Sequence, residues 1–177
     1  RGCIRRCSFC VNKNYHKCVP HSPVEEFLDK SRKYICLLDD NVLACAQWKE
    51  VFHNLQATAK RFQFKQGCDE RLLTEEKCVE LFEKSKWIGD YIFAFDNIKD
   101  RDVIENNIRL IKKHVVSGNI KFYVFCGYNH DQPGIYDVDF WKTDIVNLFE
   151  RISILSKYGC LPYIMRFKDY EQSPFRG

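Results

Sequence analysis

The stretch Tyr34-Ile35-Cys36-Leu37-Leu38-Asp39-Asp40-Asn41 decides the fold. Its apolar residues run without a polar break and stop at two acids and an amide. A strand with one wet face alternates apolar and polar residues, so an unbroken short run reads as a strand buried on both faces. Just ahead, Ser22-Pro23-Val24-Glu25 carries the marks of a helix start, with Ser as N-cap, Pro at the first helical position and Glu two further on. The helix it predicts runs to about Lys33.

Read outward, the same order recurs. A helix is expected over Ala44 to Lys60. The strand Arg61 to Gln66 follows and ends in Gly67-Cys68-Asp69-Glu70-Arg71. A helix capped by Thr74, with Glu75 and Glu76 in its first turn, runs to about Lys86. The strand Tyr91 to Phe95 ends in Asp96-Asn97. A helix from about Arg101 carries Val103, Ile104, Ile108, Ile111 and Val115 on one face. The strand Ile120 to Cys126 ends in Gly127-Tyr128-Asn129-His130-Asp131. A last helix, about Phe140 to Tyr158, precedes the strand Leu161 to Met165, which ends in Arg166. Strands alternating with helices predict a parallel α/β sheet. Right-handed crossovers bring the carboxyl ends of such strands to one rim, where sites lie. No G-x-G-x-x-G follows a strand, which argues against a dinucleotide-binding fold.

Composition sets wide bounds. The chain has 177 residues, 45% of them apolar, and a net charge of +4. That length suits one domain, and that charge is too small to name a nucleic-acid partner. Ten cysteines are many. Without a signal peptide or a long apolar run, they predict reduced thiols in the cytoplasm and no membrane. The chain starts at Arg1 and ends at Arg176-Gly177, so a piece of a longer protein, incomplete at both ends, is expected.

The chemistry concentrates in Gly2-Cys3-Ile4-Arg5-Arg6-Cys7-Ser8-Phe9-Cys10, with its C-x3-C-x2-C spacing. Iron–sulfur clusters are held by Cys thiolates, normally four to a cubane. Three on one loop would leave one iron open, and an open position marks a metal site that binds something. A zinc knot would ask for a second cysteine pair downstream, which is missing. A stripe on a helix also places positions i, i+4 and i+7 on one face. Val11 to Cys18 reads as an irregular loop in which His16 and Cys18 are ordinary residues rather than further ligands. Arg5, Arg6, Lys13 and Lys17 are expected around the thiols, with Arg5 and Arg6 favouring their ionised form. Cys36, Cys45, Cys68, Cys78, Cys126 and Cys160 read as small hydrophobes, with Cys68 and Cys126 as the plausible exceptions.

The cysteine spacing, with Phe9 just before the third cysteine, resembles the radical S-adenosylmethionine (radical SAM) superfamily. The resemblance implies a 4Fe–4S cluster on Cys3, Cys7 and Cys10, whose open iron takes S-adenosylmethionine. Reductive cleavage then gives a 5′-deoxyadenosyl radical that abstracts hydrogen from a substrate. The implied fold over residues 1–177 is a partial (β/α)6 TIM-like barrel, with its first strand ahead of Arg1. Phe9 matches the aromatic near the adenine. Asp39, Asp40 and Asn41 stand where the family carries a Gly-Gly-Glu-like segment on the methionyl amino group, and here depart from it; a helix cap is the competing role. Arg71 would fork onto a carboxylate or pair with Asp69 or Glu70. Asp96 would meet a ribose or substrate, and Val124 to Gly127 loosely matches the segment behind the adenine. Tyr128, Asn129 and His130 could face substrate, although His130 reads rather as an exposed loop residue. The implied partners are a low-potential donor of the flavodoxin or ferredoxin type and an unidentified small or macromolecular substrate. A non-catalytic iron–sulfur or metal-binding electron-transfer module and an RNA-modifying member of the superfamily are the alternatives. The reaction class does not follow from the fold.

Overall fold

The computed structural model describes residues 1–12 and 17–174, the side chain of Asp169 excepted. Lys13 and His16 therefore lie outside the described residues. Among the described residues, five strands and five α-helices alternate: α1 (Val24–Phe27), β1 (Tyr34–Leu37), α2 (Trp48–Ala57), β2 (Arg61–Phe64), α3 (Glu75–Cys78), β3 (Tyr91–Ala94), α4 (Arg101–His114), β4 (Ile120–Cys126), α5 (Val138–Lys157) and β5 (Leu161–Arg166). α3 widens into a π-helical stretch over Val79–Lys84. Every strand pair is parallel, with β1 beside β2 and β3-β4-β5 in a second sheet.

The two sheets meet in chain order. Phe62 of β2 forms a parallel bridge to Trp87, just ahead of β3. Beyond β2, the Cys68 N–H donates to the Ile92 carbonyl at 2.8 Å. Gly67 makes that approach possible: its φ is +91°, and a Cβ there would lie 3.0 Å from the Ile92 oxygen. The fold is thus a mixed α/β arrangement of sequential parallel strands, and among the described residues these do not close into a barrel.

Aromatic packing explains the join. Phe62 and Phe64 of β2 pack on Phe52 of α2 and on Trp87, which stacks on Tyr91 of β3. Burying each such ring contributes roughly 2–3 kcal/mol. Ile104, Ile108 and Ile111 turn the apolar stripe of α4 to the core, while Lys112, Lys113 and His114 complement its carboxyl end. Thr74 caps α3 by accepting from the Lys77 N–H, as its sequence predicts.

Two expectations need correction. The helix predicted to reach Lys33 stops at Phe27. The Asp29 carboxylate accepts from both the backbone and hydroxyl of Ser31, and this local turn competes with helix. Lys60 then ties down the carbonyls of Asp29 and Lys30. Nor is β1 buried on both faces: Tyr34 is 55% exposed, Leu38 68% and Cys36 is exposed, because no strand lies on its outer edge among the described residues. Along that edge, between α1 and α2, runs a cavity of about 870 Å³. Among the described residues, no helix is long and apolar enough to cross a membrane.

Candidate functional site at the carboxyl ends of the strands

The cysteine loop lies across the rim formed by the carboxyl ends of β1 to β4. Arg5 reaches Asp69 after β2 at 2.8 Å. Asn41, after β1, lies 3.6 Å from Cys3 Sγ. Phe9 packs on Phe125 of β4 with ring centroids 4.5 Å apart. The charge of Asp96, after β3, acts on Cys7. Parallel strands present these residues together because all of their carboxyl ends point one way.

Local hydrogen bonds shape the loop. It closes through the Cys10 N–H donating to the Cys7 carbonyl at 3.0 Å. Cys3 Sγ accepts from the Arg5 N–H at 3.3 Å, and Cys10 Sγ accepts from the Asn12 N–H at 3.4 Å. All three thiols are free and half-buried. Burial, then the charge of Cys10, pushes the Cys7 thiol above its ordinary value; Asp96 and Cys3 add to this and Arg71 opposes it. A bound cation at the thiols would reverse that balance.

Among the described residues, no three Cys, His, Asp or Glu side chains converge closely enough to hold a metal ion. Zinc ligands about 2.3 Å from one ion would crowd together; a multi-iron cluster spreads its ligands wider. The donor set fits such a cluster on its chemistry: three free thiols on one loop, two of them receiving backbone N–H groups. Cys18 is buried and gives its thiol to the Asn41 carbonyl at 2.9 Å. Cys68 and Cys126 are buried too, and burial raises their thiols to about 12 and about 11, away from the thiolate form.

The rim residues separate by role. Asp39 lies beside the backbone nitrogen of Arg1, and Asp40 accepts from Asn12 at 2.5 Å. Asn41 is 3% exposed and gives its amide nitrogen to Asp69 at 3.2 Å. Its Oδ1 is buried without a hydrogen-bond partner among the described residues. Arg71 bonds Asp69 at 2.7 Å and lies 3.7 Å from both Glu70 and Asp100, so its guanidinium serves an ion-pair network. Arg5 is likewise committed to Asp69 rather than to the thiols. Burial raises the Asp96 carboxyl to about 6, with Arg151 as the main opposing influence. Gly127 has φ +80°; its N–H donates to Asp144, and a Cβ there would meet the Tyr170 ring at 2.9 Å.

Phe9, Phe125, Tyr128 and His130 form one ring cluster, extended by Phe167. His130 is thus half-buried rather than exposed, and burial holds its imidazole below the ordinary value. Asn129 is occupied locally, donating to the Ile135 carbonyl and accepting from Asp131 and Gln132.

Sequence reasoning missed Arg151. It is 2% exposed and donates to the carbonyls of Phe95, Asp96 and Phe125, clamping the ends of β3 and β4 together. With Asp96, Asp144, Tyr128 and His130 it lines a cavity of about 100 Å³. A signal was present, since Arg151 is spaced three residues after Leu148 and four before Leu155 on the buried stripe of α5. No protein-family model matches this chain, and no curated protein matches it.

Proposed function

We propose that this chain is the core of a radical SAM enzyme, acting in the cytoplasm with a low-potential flavodoxin- or ferredoxin-type donor. The observation that carries the reading is one loop bearing three free thiols, laid over the carboxyl ends of sequential parallel strands. Its sequential strand order fits an incomplete (β/α)6 barrel. When bound, a 4Fe–4S cluster with S-adenosylmethionine supplies reductive cleavage and a hydrogen-abstracting 5′-deoxyadenosyl radical. The chain's own residues hold and orient. Cys3, Cys7 and Cys10 give the thiolates. Asn41 Oδ1, a buried acceptor, suits an ammonium donor. The ring faces of Phe9, Phe125 and Tyr128 suit a purine. Asp96, held by burial near its proton, suits a hydroxyl of ribose or substrate.

Anaerobic iron–sulfur reconstitution tests the reading. The expected results are a cubane chromophore and 5′-deoxyadenosine formed from S-adenosylmethionine with dithionite. Cys7→Ala should abolish both. Absence of the chromophore in the unsubstituted chain would sink the proposal. A chromophore whose spectrum ignores S-adenosylmethionine would replace it with an electron-transfer module.

A further inference from the structure

Asp69 stands where the thiol loop meets the rim. Its side chain is only 5% exposed, yet it carries the charge that two arginines share. Arg5 Nε donates to it at 2.8 Å, Arg71 Nε at 2.7 Å and Asn41 Nδ2 at 3.2 Å. The two guanidiniums hold its carboxyl below the ordinary value despite burial. Two of these donors also govern Cys3. Arg5 belongs to the loop, and its backbone N–H donates to Cys3 Sγ at 3.3 Å. Asn41 places the same amide nitrogen 3.6 Å from that sulfur. Cys3 is therefore gripped from two directions by groups that both end on one carboxylate.

The loop has other ties to the rim: Asn12 on Asp40 holds the chain beyond the third cysteine, away from Cys3, and Phe9 on Phe125 is a ring contact and tolerates sliding. A charged hydrogen bond does not, since its strength depends on distance and angle. We infer that Asp69 is the positioning residue of the thiol loop, fixing where Cys3 lies over the strand ends without touching its thiol. The inference rests on the proposed function only in taking that thiol as a working group.

The test uses the full chain without metal, under reducing anaerobic conditions. It follows amide exchange along the chain and alkylation of Cys3 by iodoacetamide. Asp69→Asn should speed both, at residues 2–10, by about tenfold or more, the effect of losing one strong hydrogen bond. Arg5→Met, a change at a half-exposed site, should act in the same direction. The double variant should be no faster than Asp69→Asn alone, because the two remove one interaction. General loosening would instead speed exchange in β3 and β4 equally, and Arg5→Met would not reproduce it. Wild-type loop exchange and Cys3 alkylation in Arg5→Met overturn the proposal, as do additive effects in the double variant. Because the readout needs no cluster, the role of Asp69 is decided even in a chain that fails reconstitution. The reverse outcome rejects the anchor while leaving the proposed function standing.

Discussion

Glu70 is the residue on the rim whose charge the fold tolerates least. It is 1% exposed, its Oε1 has no hydrogen-bond partner among the described residues, and Asp69 stands beside it. Burial raises its carboxyl to about 8 from an ordinary 4.5, against the pull of Arg71. Between those values the native chain holds a proton that the unfolded chain has lost, so stability falls as pH rises through the window. Glu70→Gln keeps the shape and removes the titration. The urea midpoints of variant and parent should agree near pH 4. They should separate in the variant's favour as pH rises, reaching about 1–3 kcal/mol by pH 9. A constant gap across that range would show that Glu70 titrates at its ordinary value. Asp69, its neighbour in sequence, lies on the other side of the same logic: paired with two arginines, it is stable as an anion where Glu70 is not.

The most constrained element is the exit of β4. Gly127 must adopt φ +80°, which side chains other than Gly rarely take, and Tyr170 packs against the space where a Cβ would be. Its N–H is also used by Asp144. Gly127→Ala should cost about 1–3 kcal/mol in urea denaturation. Adding Tyr170→Ala separates two causes: relief would assign the loss to the clash, and no relief to backbone strain. Arg151 completes this element, with one guanidinium nitrogen bonded to the carbonyls of Phe95, just past β3, and Phe125 of β4. α5 thereby fixes the floor under Asp96 and His130.

At the scale of the whole molecule, two small sheets act together only if their join holds. Buried residues of β2, α2, α3, β3, α4 and β4 belong to one continuous apolar cluster. Phe62 is fully buried at the seam, touching Phe52, Phe64 and Trp87. Phe62→Ala should cost about 3–5 kcal/mol. Amide exchange should quicken in β3 and β4 as well as in β1 and β2, because a single cooperative unit opens as one. Exchange confined to β1 and β2 would mean that the sheets unfold separately. Cooperativity bears on the candidate site, because the cysteine loop takes contacts from both sides of this seam, Asn41 and Asp69 on one and Phe125 on the other.

The alternation of strands and helices was legible in the sequence, as were the cap at Thr74, the stripe of α4 and the extent of β4. These depend on residues a few positions apart, and the periods of helix and strand report them directly. The grouping of three cysteines was legible for the same reason. The uses of the rim charges were not. Arg5 reads as a counter-charge for thiols but pairs with Asp69, 64 residues away. Arg71 reads equally as a fork for a ligand and as a partner of Asp69 or Glu70, and the fold takes the second. Arg151 drew no reading from the sequence at all, yet it is buried under two strand ends. Sequence alone determines which charges a rim possesses; only the folded chain decides which of them neutralise one another, because pairing depends on distance and desolvation across the parallel strand ends.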